Sequence, residues 1–169
     1  ITFPLISHLG SFATGLGDEL VIAWIQNWVI YALATNPFSL FDANIYYPYH
    51  NSLAFSDLFF TSSLLSLLPL KIIGEPIVVV NFTLISSLAM LGVFTYLLIH
   101  YLTKNFFASL LGGILIIFSP VTLDKIVHLQ ILAIQWVPLS ILFFFIFFKK
   151  IKTRYLILSL FFFILQTYN

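Results

Sequence analysis

The stretch PIVVVNFTLISSLAMLGVFTYLLIHY, Pro76–Tyr101, holds no Asp, Glu, Lys or Arg in 26 positions. A helix that crosses a bilayer needs about 20 predominantly apolar residues, so this run reads as a membrane span. Working outward from it, residues 58–169 are almost continuously apolar and broken only by short polar hinges. Residues 1–57 differ: they carry four of the six acids and most of the residues that read as folded loop. The whole chain is 61% hydrophobic and 8% charged, against roughly 25% charged residues in soluble domains. A soluble protein of this composition would expose large apolar patches and aggregate. The fold class expected is therefore all-α, a polytopic integral membrane helix bundle, with a polar loop over 1–57 and the bundle over 58–169.

Composition excludes several chemistries. The chain has no cysteine, which removes disulfides and thiolate metal sites. Its net charge of +1 gives no sign of nucleic-acid binding. It begins at Ile1, and the last apolar segment, from Tyr155, stops short of a full span. The chain is accordingly read as an N-terminal or internal piece of a longer protein.

Residues 1–17 read as loop. Asp18 to Thr35 reads as a helix that Asn36-Pro37 stops. Trp24, Trp28 and Tyr31 fall at i, i+4 and i+7 on one face, with Gln26 on a polar back face. A Trp/Tyr stripe suits a helix lying at the headgroup level of a membrane. Residues 37–57 (PFSLFDANIYYPYHNSLAFSD) hold five aromatics between Phe41 and Phe55. That is too aromatic for a disordered linker, so the loop packs on the bilayer surface or covers a cavity. The apolar segments then read as 58–73, interrupted by Pro69; 77–101; 106–118, whose Gly112-Gly113 permits close helix approach and which Ser119-Pro120 ends; 131–148; and 155 onward.

Orientation follows from the basic hinge 149–154, which holds four of the seven Lys/Arg residues and is expected to be cytoplasmic. Loop 119–130 then lies on the opposite face. Loop 1–57 lies on the cytoplasmic face if 58–73 spans fully, and beside loop 119–130 if it does not. The segment's length and Pro69 permit either.

Two clusters carry candidate chemistry. Asp18 and Glu19 open the aromatic helix, either as an N-cap and a dipole-complementing acid or as a carboxylate pair that binds a divalent metal or acts as a base. In DKIVHLQILAIQW, at 100° per residue, Asp124, His128 and Gln135 would form one polar stripe running into a span, with Gln130 nearby. Polar groups at such depth face a bundle interior or a wet cavity. Lys125 reads as a snorkelling anchor, Asp42 as an Asx-turn and Asp57 as the N-cap of the first apolar helix. His50 lies in the aromatic loop, as a surface side chain or a ligand contact. Asn81 and Ser86-Ser87 read as interhelical contacts; Asn81-Phe82-Thr83 matches a glycosylation sequon but lies within a span. No P-loop, HExxH or Ser/His/Asp order is present.

Read in order, GDELVIAWIQNW, NPFSLFDANIYYPYHNSLAFSD, the apolar segments and FSPVTLDKIVHLQILAIQWVPL resemble the bacterial multi-span membrane proteins of the GT-C glycosyltransferase class, over essentially all 169 residues. The resemblance implies an inverting enzyme of the bacterial inner membrane. Such an enzyme moves a sugar from a polyprenyl-phosphate donor to an acceptor on the exoplasmic side. It implies that loop 1–57 is exoplasmic, that a span precedes residue 1, and that Leu20–Ala34 is a juxtamembrane helix. Asp18, with Glu19 beside it, matches the class's active-site acid. Asp124 or His128 matches the second loop's acid or metal ligand, although no Asp-x-Asp or Asp-x-Glu pair occurs there. Under this reading Asp18, Glu19 and His128 are the catalytic candidates, and Asp18 and His128 the ligands of a divalent metal, Mg or Mn. Asp124, Lys125, Gln130, Gln135 and His50 are the substrate-binding candidates. The partners expected are the lipid-linked sugar donor and membrane lipids, with no nucleic acid. The competing expectations are a transporter or flippase-like protein, with Asp124, His128 and Gln135 lining a pathway, and a non-catalytic membrane scaffold subunit.

Overall fold

A computed structural model describes residues 5–11, 17–126 and 128–169. Most of the loop expected over 1–17 lies outside them. Among the described residues the protein is all-α, with no strand. The helices are α1 (Asp18–Thr35), α2 (Phe60–Ile73), α3 (Val78–Thr103), α4 (Phe106–Ile117), α5 (Pro120–Asp124), α6 (Leu129–Leu132), α7 (Trp136–Lys150) and α8 (Thr153–Thr167). Single 3-10 turns lie at Leu5–Ser7, Pro37–Ser39 and Ser52–Phe55. Three stretches are long and apolar enough to cross a membrane: Val78–Thr103, Phe106–Asp124 and Leu129–Lys150. As expected from sequence, α4 ends just before Ser119-Pro120, and a separate short helix, α5, follows within the second of these stretches. Ser119 caps α5, its hydroxyl accepting the Thr122 N–H at 3.1 Å, with Pro120 in the first turn, where its missing N–H costs nothing.

The chain forms two compact units. One comprises residues up to 85 with 127–130 and 168–169; the other comprises 86–126 and 131–167. The first unit reaches beyond the loop 1–57 to include α2 and the first two turns of α3.

In the first unit α1 packs on α2. Its Glu19, Ile22, Ala23, Ile25, Gln26, Val29 and Ala32 are buried. Gln26 does not form a polar back face: it is fully buried, and its Nε2–H donates to the Thr83 hydroxyl at 3.1 Å. The Thr83 hydroxyl also meets that of Ser66 at 3.0 Å, and Ser66 Oγ donates to the Val79 carbonyl at 3.1 Å. This node joins α1, α2 and α3. The Asn27 amide donates to the Pro76 carbonyl at 2.9 Å, fixing α1 against the turn before α3. On the opposite side of α1, Trp28 donates its indole N–H to the Leu40 carbonyl at 2.8 Å, so loop 37–57 folds back over the aromatic stripe.

The polarity of α2 is reversed relative to a helix in water. Thr61, Ser62, Ser63 and Ser66 are buried, whereas Leu64, Leu68 and Ile72 are exposed at 46%, 66% and 82%. Small polar residues facing inward and leucines facing outward are the pattern of a helix packed in lipid. At 14 residues α2 rises about 21 Å, against a hydrocarbon core about 30 Å thick. Both of its ends stay in the first unit: Phe60 N–H donates to the Tyr168 carbonyl at 2.9 Å, and Ile73 lies beside Gly10. The short segment 58–73 is therefore not among the three candidate spans, and loop 17–57 shares its compact unit with residues 128–130.

In the second unit the backbones of α3 and α4 approach at glycines. A Cβ placed on Gly113 would lie 2.7 Å from the Gly92 carbonyl oxygen, whereas one on Gly112 would meet only the tip of Ile99. The α7–α8 hairpin closes with a reciprocal serine pair: Ser140 Oγ donates to the Ser159 carbonyl at 3.0 Å and Ser159 Oγ to the Ser140 carbonyl at 2.9 Å. Trp136, Phe162 and Phe143 stack along the hairpin.

Two outcomes are expected in detergent unfolding. Gly113→Ala should destabilise by about 1–3 kcal/mol because backbone must move, and Gly112→Ala by less because the Ile99 side chain can rotate away. Thr83→Val, which leaves the buried Gln26 amide without its acceptor, should cost about 1–3 kcal/mol. The double change Gln26→Leu with Thr83→Val should recover part of that loss.

Candidate active site

The local structure at the start of α1 decides what Asp18 does. Gly17 occupies the N-cap, with no side-chain cap hydrogen bond, and Asp18 is the first helical residue. The capping role open to Asp18 from sequence is thus not the one it adopts. Its carboxylate complements the positive end of the helix and reaches outward. Asp18 Oδ2 lies 3.5 Å from His128 Nδ1, in the segment just before α6, with the two side chains 61% and 43% exposed. A pair this accessible contributes about 0–1 kcal/mol to stability. Neighbouring Glu19 turns inward and is buried.

Asp18 lines a pocket of about 190 Å³ together with Val21, Ile22, Ile25, Ser56, Asp57, Phe59 and Gln130. Ile22, Ile25 and Phe59 are buried and give it an apolar floor; Asp18, Asp57 and Gln130 are exposed and form a polar mouth. The volume is below the about 300–1,000 Å³ of a typical small-molecule site. It has room for a reacting group and its waters but not for a large ligand.

Of the residues singled out from sequence, the fold brings together Asp18, His128 and Gln130. The others lie elsewhere. His50 is an exposed surface side chain, its Nδ1 3.5 Å from Asp42, whose Oδ1 also accepts the Asn51 N–H at 2.8 Å. Asp42 therefore organises its own loop, as its sequence context suggests. Asp124 and Lys125 pair with each other at 2.7 Å. The expected stripe of Asp124, His128 and Gln135 does not form. Helix α5 ends at Asp124, α6 covers only Leu129–Leu132, and Gln135 precedes α7. Pro138, in the first turn of α7, cannot donate a backbone N–H to residue 134, so the helix must restart there. Gln135 is fully buried in the second unit, and neither atom of its amide has a hydrogen-bond partner.

Asp57 was missed from sequence. It does not cap α2, whose N-cap is Phe59, in a left-handed conformation at φ 49°. The two residues between Asp57 and Phe60 free its carboxylate to line the Asp18 pocket. Among the described residues no three His, Asp or Glu side chains come together in a group that could hold a metal ion.

No protein-family model, curated protein or solved structure matches the chain.

The pairing across the chain is directly measurable. In this cysteine-free sequence, Asp18→Cys with His128→Cys should be joined efficiently by a short bifunctional thiol reagent. Each single cysteine should react with a membrane-impermeant reagent from the same side. Reaction from opposite sides would contradict the fold.

Proposed function

We propose that the protein is a membrane glycosyltransferase that moves a sugar from a polyprenyl-phosphate donor to an acceptor hydroxyl on the exoplasmic face. The observation that carries this reading is Asp18, which lines a pocket with Asp57 and lies 3.5 Å from His128. A carboxylate within hydrogen-bond reach of an acceptor hydroxyl is the general base such a transfer needs. In the proposed step Asp18 takes the hydroxyl proton and the acceptor oxygen forms the new bond to the anomeric carbon. The bond from that carbon to the phosphate oxygen breaks on the opposite side. Polyprenyl phosphate leaves with the bonding electrons, and the configuration inverts. No lysine or arginine lines the pocket, so the imidazole of His128, beside Asp18, is the group at hand to donate an N–H to the departing phosphate. Asp57 and Gln130 hold the acceptor at the mouth. The small pocket takes the reacting atoms and leaves the prenyl chain outside.

One observation favours a second reading, a transporter or flippase-like protein. Gln135 lies within the candidate span Leu129–Lys150 with its buried amide unpartnered, and polar side chains at such positions line pathways.

With the protein reconstituted and a polyprenyl-phosphate sugar supplied, Asp18→Asn should lower transfer by about 10²–10⁴-fold. His128→Gln and Asp57→Asn should cause smaller losses. Asp42→Asn retains the oxygen that accepts the Asn51 N–H and should leave transfer near wild type. Wild-type transfer by Asp18→Asn would refute the assignment. Loss of substrate movement on Gln135→Leu, with Asp18→Asn silent, would favour the transport reading.

A further inference from the structure

We propose that loop 37–55 is a docking surface for the bilayer itself, with its aromatic rings seated at the boundary between headgroups and acyl chains. The loop turns five large rings outward: Phe38, Tyr46, Tyr47, Tyr49 and Phe55 are 101%, 63%, 96%, 71% and 77% exposed. Tyr46, Tyr49 and Phe55 surround an apolar groove of about 340 Å³. Scattered apolar side chains on a surface need no explanation, but a contiguous ring cluster marks an interaction site.

The rings are not outside for want of order. Ala43, Ser52 and Leu53 of the same loop are buried. Ser52 Oγ donates to the Ala43 carbonyl at 3.0 Å, and Leu53 N–H donates to the Phe41 carbonyl at 3.0 Å. Trp28 clamps Leu40 from below. The loop therefore has an inner side that packs and an outer side that presents rings on a fixed backbone.

Charge narrows the occupant. Residues 1–70 contain no Lys or Arg and four acids, so neither an anionic polymer nor a patch of anionic lipid finds a counter-charge here. Neutral amphipathic rings suit the interfacial zone of a membrane, where tyrosine keeps its hydroxyl wet and its ring dry. Continuity points the same way. The same compact unit contains α2, whose outward Leu64, Leu68 and Ile72 require lipid, and the first turns of the span α3. The bilayer is thus already a partner of this unit, and the inference is independent of the transfer reaction.

The test uses the full chain in phosphatidylcholine vesicles, with a single cysteine replacing Phe38, Tyr47 or Phe55 and carrying an environment-sensitive fluorophore. His50→Cys, at a polar position of the same loop whose side chain is 89% exposed, is the aqueous control. Labels at 38, 47 and 55 should be quenched several-fold more than the label at 50 by lipids bearing a nitroxide just below the headgroup, and shielded from aqueous iodide. Equal iodide quenching at all four positions would overturn the proposal. So would shielding that appears only on adding a soluble oligosaccharide or a second protein. Circular dichroism of each variant checks that the helices persist; the replaced side chains are at least 77% exposed, so folding should not confound the result.

Discussion

The first unit depends on the buried contact of the Gln26 amide with the Thr83 hydroxyl, extended by Ser66 to the backbone of α3. Lipid removes the usual reason for helices to associate, because a leucine is as comfortable against an acyl chain as against another leucine. What remains is close packing and the satisfaction of polar groups that have no water to turn to. The node supplies both. It joins three helices through side chains small enough to let them approach. An unpaired member would bear the full desolvation cost of a buried polar group. The same logic recurs in the second unit at Gly92 and Gly113 and at the Ser140–Ser159 pair.

The candidate site inherits its geometry from this core. Gln26 and Asn27 lie in the third turn of α1, so pinning them fixes the direction in which the first turn projects Asp18. Phe59, buried against α1 in a left-handed conformation, sets where the chain turns into α2 and thereby where Asp57 stands. His128 arrives from a distant part of the sequence because 128–130 belong to the first unit. None of these three candidate side chains is held by a strong bond of its own among the described residues. Their supporting residues are the ones buried and hydrogen-bonded, which leaves the candidate groups accessible.

Much of this was legible in the sequence, and the failures share a cause. The apolar runs and the limits of α1 follow from hydrophobic length and from the Asn36-Pro37 stop. The direction of Gln26 did not, because the rule that polar residues face outward assumes water outside. Where lipid is the surroundings the sense reverses, as the buried serines of α2 illustrate. The stripe through Asp124, His128 and Gln135 failed because helical periodicity was carried from 124 to 135, whereas α5 ends at Asp124 and α6 at Leu132. Asp57 was hidden by a shift of two residues in a helix boundary: a carboxylate next to a helix reads as a cap, and one two residues further off is free to serve a pocket. The proximity of Asp18 and His128 could only be posed as a question, since nothing in local spacing relates residues 110 positions apart.

Helix α2 has a consequence for the membrane around it. Its outward face is leucine and isoleucine, yet its apolar length falls about 9 Å short of a typical hydrocarbon core. Lipids beside it must shorten, splay or tilt, at a cost of fractions of a kcal/mol for each ångström of mismatch. The bilayer is therefore pinched on that flank, and headgroups there are drawn toward the midplane. A protein built this way should be most at ease in thin bilayers, and lipid chain length should tune its stability.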